Sequence, residues 1–200
     1  MHNPLPLDGT GEKKVVRTAV LFMGLAHLLW LRDTVKGLLF AAVEIFYIFM
    51  IPSIGKKLID LVTLGSPQPE LPIKMRDNSI FMLIDGILTI VLLIVFITLY
   101  IISVRSARQG YREYCRKKRP MTMGESFSTT LSKAFPVVGL TPSFLLILVL
   151  VVVPLIFSAS VAFTNYSAPD NIPPNNTVDW VGLANFKTLL GGEASWTSGF

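Results

Sequence analysis

The sequence predicts an all-α integral membrane protein with about three transmembrane helices. An amino-terminal interfacial or re-entrant helix and a short amphipathic helix on the exterior side complete the expected fold. Three observations carry this prediction. Hydrophobic residues make up 52% of the 200-residue chain and charged residues only 16%, against about 25% charged in an ordinary soluble domain. The apolar residues are gathered into runs long enough to cross a hydrocarbon core about 30 Å thick, which takes about 20 helical residues. The positive charges are concentrated in connectors, most densely in RSARQGYREYCRKKR at 105–119.

Residues 1–34 read as a cytoplasmic tail and a membrane-associated helix. Thr18 to Leu31 is apolar but short for a span, which favours a shallow or re-entrant segment. A fourth span, which would put the amino terminus outside, and a cleaved signal are the alternatives. Against the signal, Leu31 is followed by Arg32-Asp33-Thr34 and not by a small-x-small cleavage pattern. Residues 35–104 form the first membrane hairpin, with spans at Val35 to Ile54, ending near Pro52, and at Ile80 to Ser103. Each run should be helical, because unpaired backbone groups are not tolerated in lipid. Residues 105–136 form a basic loop, 137–163 the third span, and 164–200 an exterior loop leading to a transport core beyond this chain.

Loop charge orients the spans. The loop after the second span carries Arg105, Arg108, Arg112, Arg116, Lys117, Lys118 and Arg119, whereas Lys187 is the basic residue after the third. The basic loop is therefore expected in the cytoplasm, with residues 164–200 outside. With three spans the amino terminus is also cytoplasmic, consistent with Lys13, Lys14, Arg17, Arg32 and Lys36. The 55–79 loop then faces outward despite Lys56, Lys57, Lys74 and Arg76.

Within the first span, Glu44 is the candidate intramembrane polar contact. An acid at that depth is costly and is a functional candidate by default; the plainer expectation is that it accepts a hydrogen bond from a neighbouring helix. Asp85 is expected near interfacial water, and not paired with Glu44. Pro142 suits a helix first turn, and Pro154 lies inside the third span and should bend it. Arg105, Arg108, Arg112, Arg116 and Arg119 recur at three- and four-residue spacing, which places them on one face of a helix continuing toward Pro120. With Lys117 and Lys118, that face should attract anionic lipids at about 1 kcal/mol per charge. Nucleic-acid binding is excluded as a main role, since Tyr111 and Tyr114 alone make no stacking platform.

Asn165-Tyr166-Ser167 and Asn175-Asn176-Thr177 match the glycosylation acceptor pattern, with neither expected to be modified. Trp180, Leu183, Phe186 and Leu190 fit a short helix lying on the outer interface. Cys115 allows no internal disulfide, and His2 and His27 lie far apart, so neither a metal site nor a cofactor is expected. The sequence contains no nucleophile–base pair, and Gly191-Gly192 lacks the lysine and hydroxyl of a phosphate loop. The chain is not expected to be an enzyme.

A family resemblance adds to this. Pro154-Leu155-Ile156-Phe157-Ser158, Ala162-Phe163-Thr164-Asn165-Tyr166, Ile172-Pro173-Pro174-Asn175, and Asp179-Trp180-Val181-Gly182-Leu183 with Asn185-Phe186 resemble the permease subunits of maltose-type ABC sugar importers, the MalF-like branch. Lys36-Gly37-Leu38-Leu39-Phe40 and Arg76-Asp77-Asn78-Ser79-Ile80-Phe81 fit the amino-terminal helices of that branch in Gram-positive bacteria. The family's later helices and its Glu-Ala-Ala loop are missing, so the chain looks like an amino-terminal portion of such a subunit. The resemblance implies a bacterial plasma-membrane protein that imports oligosaccharides, with maltodextrins first, by alternating access. It implies a second permease subunit, two cytoplasmic ATPase subunits and an exterior sugar-binding protein as partners. ATP hydrolysis would occur on those other subunits, and the sugar site in the missing helices. The alternatives are a non-transporting membrane adaptor or scaffold, and a secondary transporter that uses Glu44 as a proton carrier.

Overall fold

The computed structural model describes residues 6, 9–119, 122–167 and 176–190. His2, Pro120, Ile172-Pro173-Pro174-Asn175 and Gly191-Gly192 lie outside the described residues. The described chain is helical, with no strand beyond a single bridge between Thr164 and Trp180. The helices are α1 (Gly9–Leu21), α2 (Thr34–Thr63), α3 (Ser79–Lys117), α4 (Met123–Ile147), α5 (Val153–Val161) and α6 (Ala184–Leu190). π-helical turns occupy His27–Leu31 and Leu148–Val152.

Three helical stretches are long and apolar enough to cross a membrane: Thr34–Thr63, the one ending at Lys117, and Gly139–Val161. This is a multi-pass membrane protein. At 1.5 Å per residue, the 30 residues of α2 and the 39 of α3 extend about 45 and 58 Å, well beyond the hydrocarbon layer. Their outward side chains are apolar: Phe49 is 75% exposed and Phe81 69%. Such faces are stable only against lipid or further helices.

Sequence signals set the helix ends. Asp33 caps α2, its Oδ1 accepting the Lys36 N–H at 3.3 Å, and Asn78 caps α3 through the N–H groups of Ile80 and Phe81. Thr122 and Glu125 form part of a capping box at α4, the Thr122 N–H donating to Glu125 at 3.2 Å. Because α4 starts at this box, Pro142 lies well inside a helix and not at its first turn. Pro52 likewise lies inside α2, which runs on to Thr63; neighbouring groups tolerate such prolines in membrane helices. At Pro154 the backbone widens just upstream into the π turn, where the Val153 N–H reaches back to the Leu148 carbonyl. That turn relieves the clash a proline ring makes with the carbonyl four residues earlier.

The chain divides into two compact units. The first comprises Met1–Pro52 with Leu93–Thr141. Its core joins Val15, Ala19, Ala26 and Leu31 to Ala107 and Tyr111 of α3. The small side chains allow close approach of helices. Gly24 has φ +84°, and a Cβ there would lie 2.2 Å from the Gly37 carbonyl oxygen, so only glycine fits this crossing. The apolar 18–31 segment is therefore broken into α1 and a π turn. Neither piece is long enough to span.

The second unit comprises Ser53–Leu92 with Pro142–Phe200. Its core is Leu64, Leu83, Ile87, Val153 and Val178. Leu64 and Gly65 take left-handed conformations after α2, the usual way to end a helix.

Candidate functional site

The polar groups of the first unit gather around the break after α1. A broken helix leaves backbone N–H groups without helical acceptors. Glu44, on α2, accepts the N–H of the fully buried Met23. Glu44 thus supports the broken segment and has a partner within its own unit. Asp85 is paired with Lys57 at 3.1 Å in the second unit.

Two aromatic residues stabilise the same region. Trp30 donates from Nε1 to the Thr18 hydroxyl at 3.0 Å, while Lys14 lies 4.2 Å from the centre of its ring. His27 stacks on Phe40 at 5.7 Å and is 2% exposed. Among the described residues, neither ring nitrogen of His27 has a hydrogen-bond partner. Burial pushes its pKa down to about 4; Asp33 opposes this and Lys36 adds to it. The sequence dismissed His27 as a metal ligand and gave no sign that it would be buried.

Arg105, Arg108, Arg112 and Arg116 share a face at the end of α3, Lys118 and Arg119 lie past its end, and the charges differ in circumstance. Arg108 pairs with Glu12 at 2.5 Å and Arg116 with Glu113 at 2.5 Å. Arg119 and Lys117 approach Glu125 at 2.8 and 3.5 Å. The hydrogen bonds from Arg119 and the Thr122 N–H hold the Glu125 carboxyl down to about 2. Among the described residues, Arg105, Arg112 and Lys118 have no acidic partner.

In the second unit, three of the stretches that carry the resemblance, at 76–81, 162–166 and 179–186, form one staple. Arg76 donates to the carbonyls of Leu71 and Pro69 at 2.7 Å. Asp77 accepts from Ser66 and Gln68 at 3.1 Å. The Ser79 hydroxyl, 1% exposed, donates to the Leu64 carbonyl and accepts the Val178 N–H at 2.8 Å. The Asn165 side chain accepts the Asp179 N–H at 2.7 Å. Asn185 donates to the carbonyls of Ala162 and Thr164 at 2.9 Å. Trp180 donates to the Leu61 carbonyl at 3.1 Å, satisfying one of the orphan acceptors at the end of α2. These residues hold backbone together.

Comparison with known proteins identifies the lineage of this chain. The maltodextrin transport system permease protein MalC of Streptococcus pneumoniae is 29% identical over 177 residues, covering 83% of this chain and 39% of that protein. The maltodextrin transport system permease protein MdxF of Bacillus subtilis is 31% identical over 157 residues, covering 78% of this chain and 34% of MdxF. The chain is homologous to the permease proteins of sugar ABC transport systems. A third permease, the galactooligosaccharides transport system protein GanP of Bacillus subtilis, is 30% identical over 130 residues, 65% of this chain and 29% of GanP. This permease homologue thus matches less than two-fifths of the length of these relatives. No family model matches it, and no solved structure does.

Proposed function

We propose that this chain forms part of the membrane-spanning subunit of an ATP-driven oligosaccharide importer, with maltodextrins or galacto-oligosaccharides as cargo. The supporting observation is its similarity, over most of its length, to permeases of two related sugar classes, combined with three apolar spans. In this proposal ATP is hydrolysed on two separate ATPase subunits, a second permease completes the pathway, and an exterior binding protein delivers the sugar. Each partner can bias the alternating states only by binding them unequally. The basic end of α3, from Arg105 to Arg119, lies in the cytoplasm next to anionic lipid, the amino terminus is cytoplasmic, and residues 164–200 are exterior. The five divisions at 1–34, 35–104, 105–136, 137–163 and 164–200 follow from that orientation.

Glu44 serves the fold in this proposal, its side chain accepting the Met23 amide. The test is uptake of labelled maltotriose and of a galacto-oligosaccharide by host cells lacking the gene, with and without the full-length protein restored. Loss of ATP-dependent uptake of one sugar, rescued on restoration, is expected. Unaltered uptake of both would refute importer function and favour a scaffold.

A further inference from the structure

The exposed apolar stripe of α3 runs directly into arginine. Ile94 and Ile101, 57% and 44% exposed, stand seven residues apart on one face. Arg105 follows Ile101 by four residues and Arg112 follows Arg105 by seven, both exposed. Residues at these spacings share a helix face. Ala107 and Tyr111 on the opposite face are buried in the core with α1.

Most of the neighbouring positive charge is neutralised within the chain, by Glu12, Glu113 and Glu125. Arg105 and Arg112 are the cations on this face without an acidic partner among the described residues. Lys118 is also unpaired, but it lies past the helix end, about 20 Å along from Arg105.

We infer that Arg105 and Arg112 form a binding site for the headgroup of an anionic phospholipid, whose tails cover Ile94 and Ile101. A phospholipid brings both parts that this face needs, an apolar tail for the stripe and a phosphodiester at its end. Arg105 stands about 6 Å beyond Ile101, and Arg112 about 10 Å beyond Arg105. An arginine stem can fold back along the helix to bring its guanidinium to the headgroup layer, where it donates paired hydrogen bonds to phosphate oxygens. Screening over about 8 Å makes Arg105 the stronger contact. The inference rests on the membrane placement of α3 given above. It narrows the lipid contact from the whole basic run to two residues.

The test uses full-length protein in a neutral detergent, titrated with phosphatidylglycerol or phosphatidylcholine and read by native mass spectrometry. Wild type should prefer phosphatidylglycerol. Arg105→Gln with Arg112→Gln should weaken that binding roughly five- to twenty-five-fold, about five-fold per cation, and lysine at both positions should restore most of it. Arg108→Gln with Arg119→Gln should change it less than two-fold. The inference is overturned by equal binding of the two lipids or by an equal loss in the control variant. It is also overturned if millimolar inorganic phosphate displaces the lipid, or if the Arg105/Arg112 variant keeps its lipid but loses a co-purifying acidic protein. Sugar uptake, measured in parallel, separates the two proposals: transport without lipid preference sinks this inference alone, and lipid preference without transport sinks the importer alone.

Discussion

Replacing Ser79 with alanine should open the staple of the second unit. The Ser79 hydroxyl is 1% exposed and bridges the Leu64 carbonyl and the Val178 N–H. Leu64 and Val178 are themselves 0% and 3% exposed, so water cannot take over either bond without the loop moving. Each orphaned buried group costs about 1–3 kcal/mol. The bond from the Ser79 backbone N–H to the Asn176 carbonyl, 3.1 Å, survives and limits the total to about 2–4 kcal/mol. That corresponds to roughly 30- to 1,000-fold more frequent local opening. Hydrogen exchange on the full-length protein should therefore accelerate by this factor in the peptide covering 176–181. Thr98→Ala removes a hydroxyl that bonds only within its own helix, to Ile94 at 2.8 Å. It should stay within about 0.5 kcal/mol. If exchange at 176–181 is unchanged in Ser79→Ala, the hydroxyl is not what ties this segment down, and the account of the staple fails.

Other perturbations give further outcomes. Gly24→Ala should destabilise the first unit by at least about 2 kcal/mol through left-handed backbone strain and the clash with the Gly37 carbonyl, lowering the melting temperature of detergent-purified protein. Glu44→Gln keeps an acceptor for Met23 and should preserve folding and uptake, whereas Glu44→Leu should lose folded yield. His27 lies outside the apolar spans, and its buried imidazole is held at about 4 against an ordinary 6.5. The unfolded chain therefore binds the proton more readily. Stability contributed by the neutral ring is complete above about pH 6.5 and declines as the pH falls toward 4, by about 3 kcal/mol in all. A melting-temperature series from pH 7.5 to 4 should show this decline, and subtracting the same series for His27→Leu should isolate it.

The sequence made the three spans legible because hydrophobic run length answers directly to bilayer thickness. It also made the basic helix legible, since arginines at three- and four-residue spacing imply one face, and α3 does continue to Lys117. Helix boundaries were harder to read. Pro142 suggested a start, yet the Thr122 and Glu125 pair fixed one upstream, and that signature was readable as a capping box. The burial of His27 depends on Phe40, a contact between segments that no local pattern encodes. The partners of the individual arginines were equally hidden, because Glu12 and Arg108 are remote in sequence and meet only when α1 packs on α3.

The motifs that carry the resemblance also have a physical role. Asn78 ends the approach to α3 and starts its helix, Ser79 fixes the end of α2 to the segment at 176–178, and Asn165 and Asn185 fix the residues after α5. Each uses a side chain to satisfy backbone groups that a membrane helix exposes where it ends. Such groups are expensive at the edge of lipid, where neither hydrocarbon nor a continuing helix can take them. Residue choice at these ends is therefore tightly constrained, while the lipid-facing positions between them need only be apolar. Resemblance among permeases of different sugars should accordingly concentrate at helix ends. It reports a shared way of closing the fold more than a shared ligand, so the choice of sugar has to be measured by uptake.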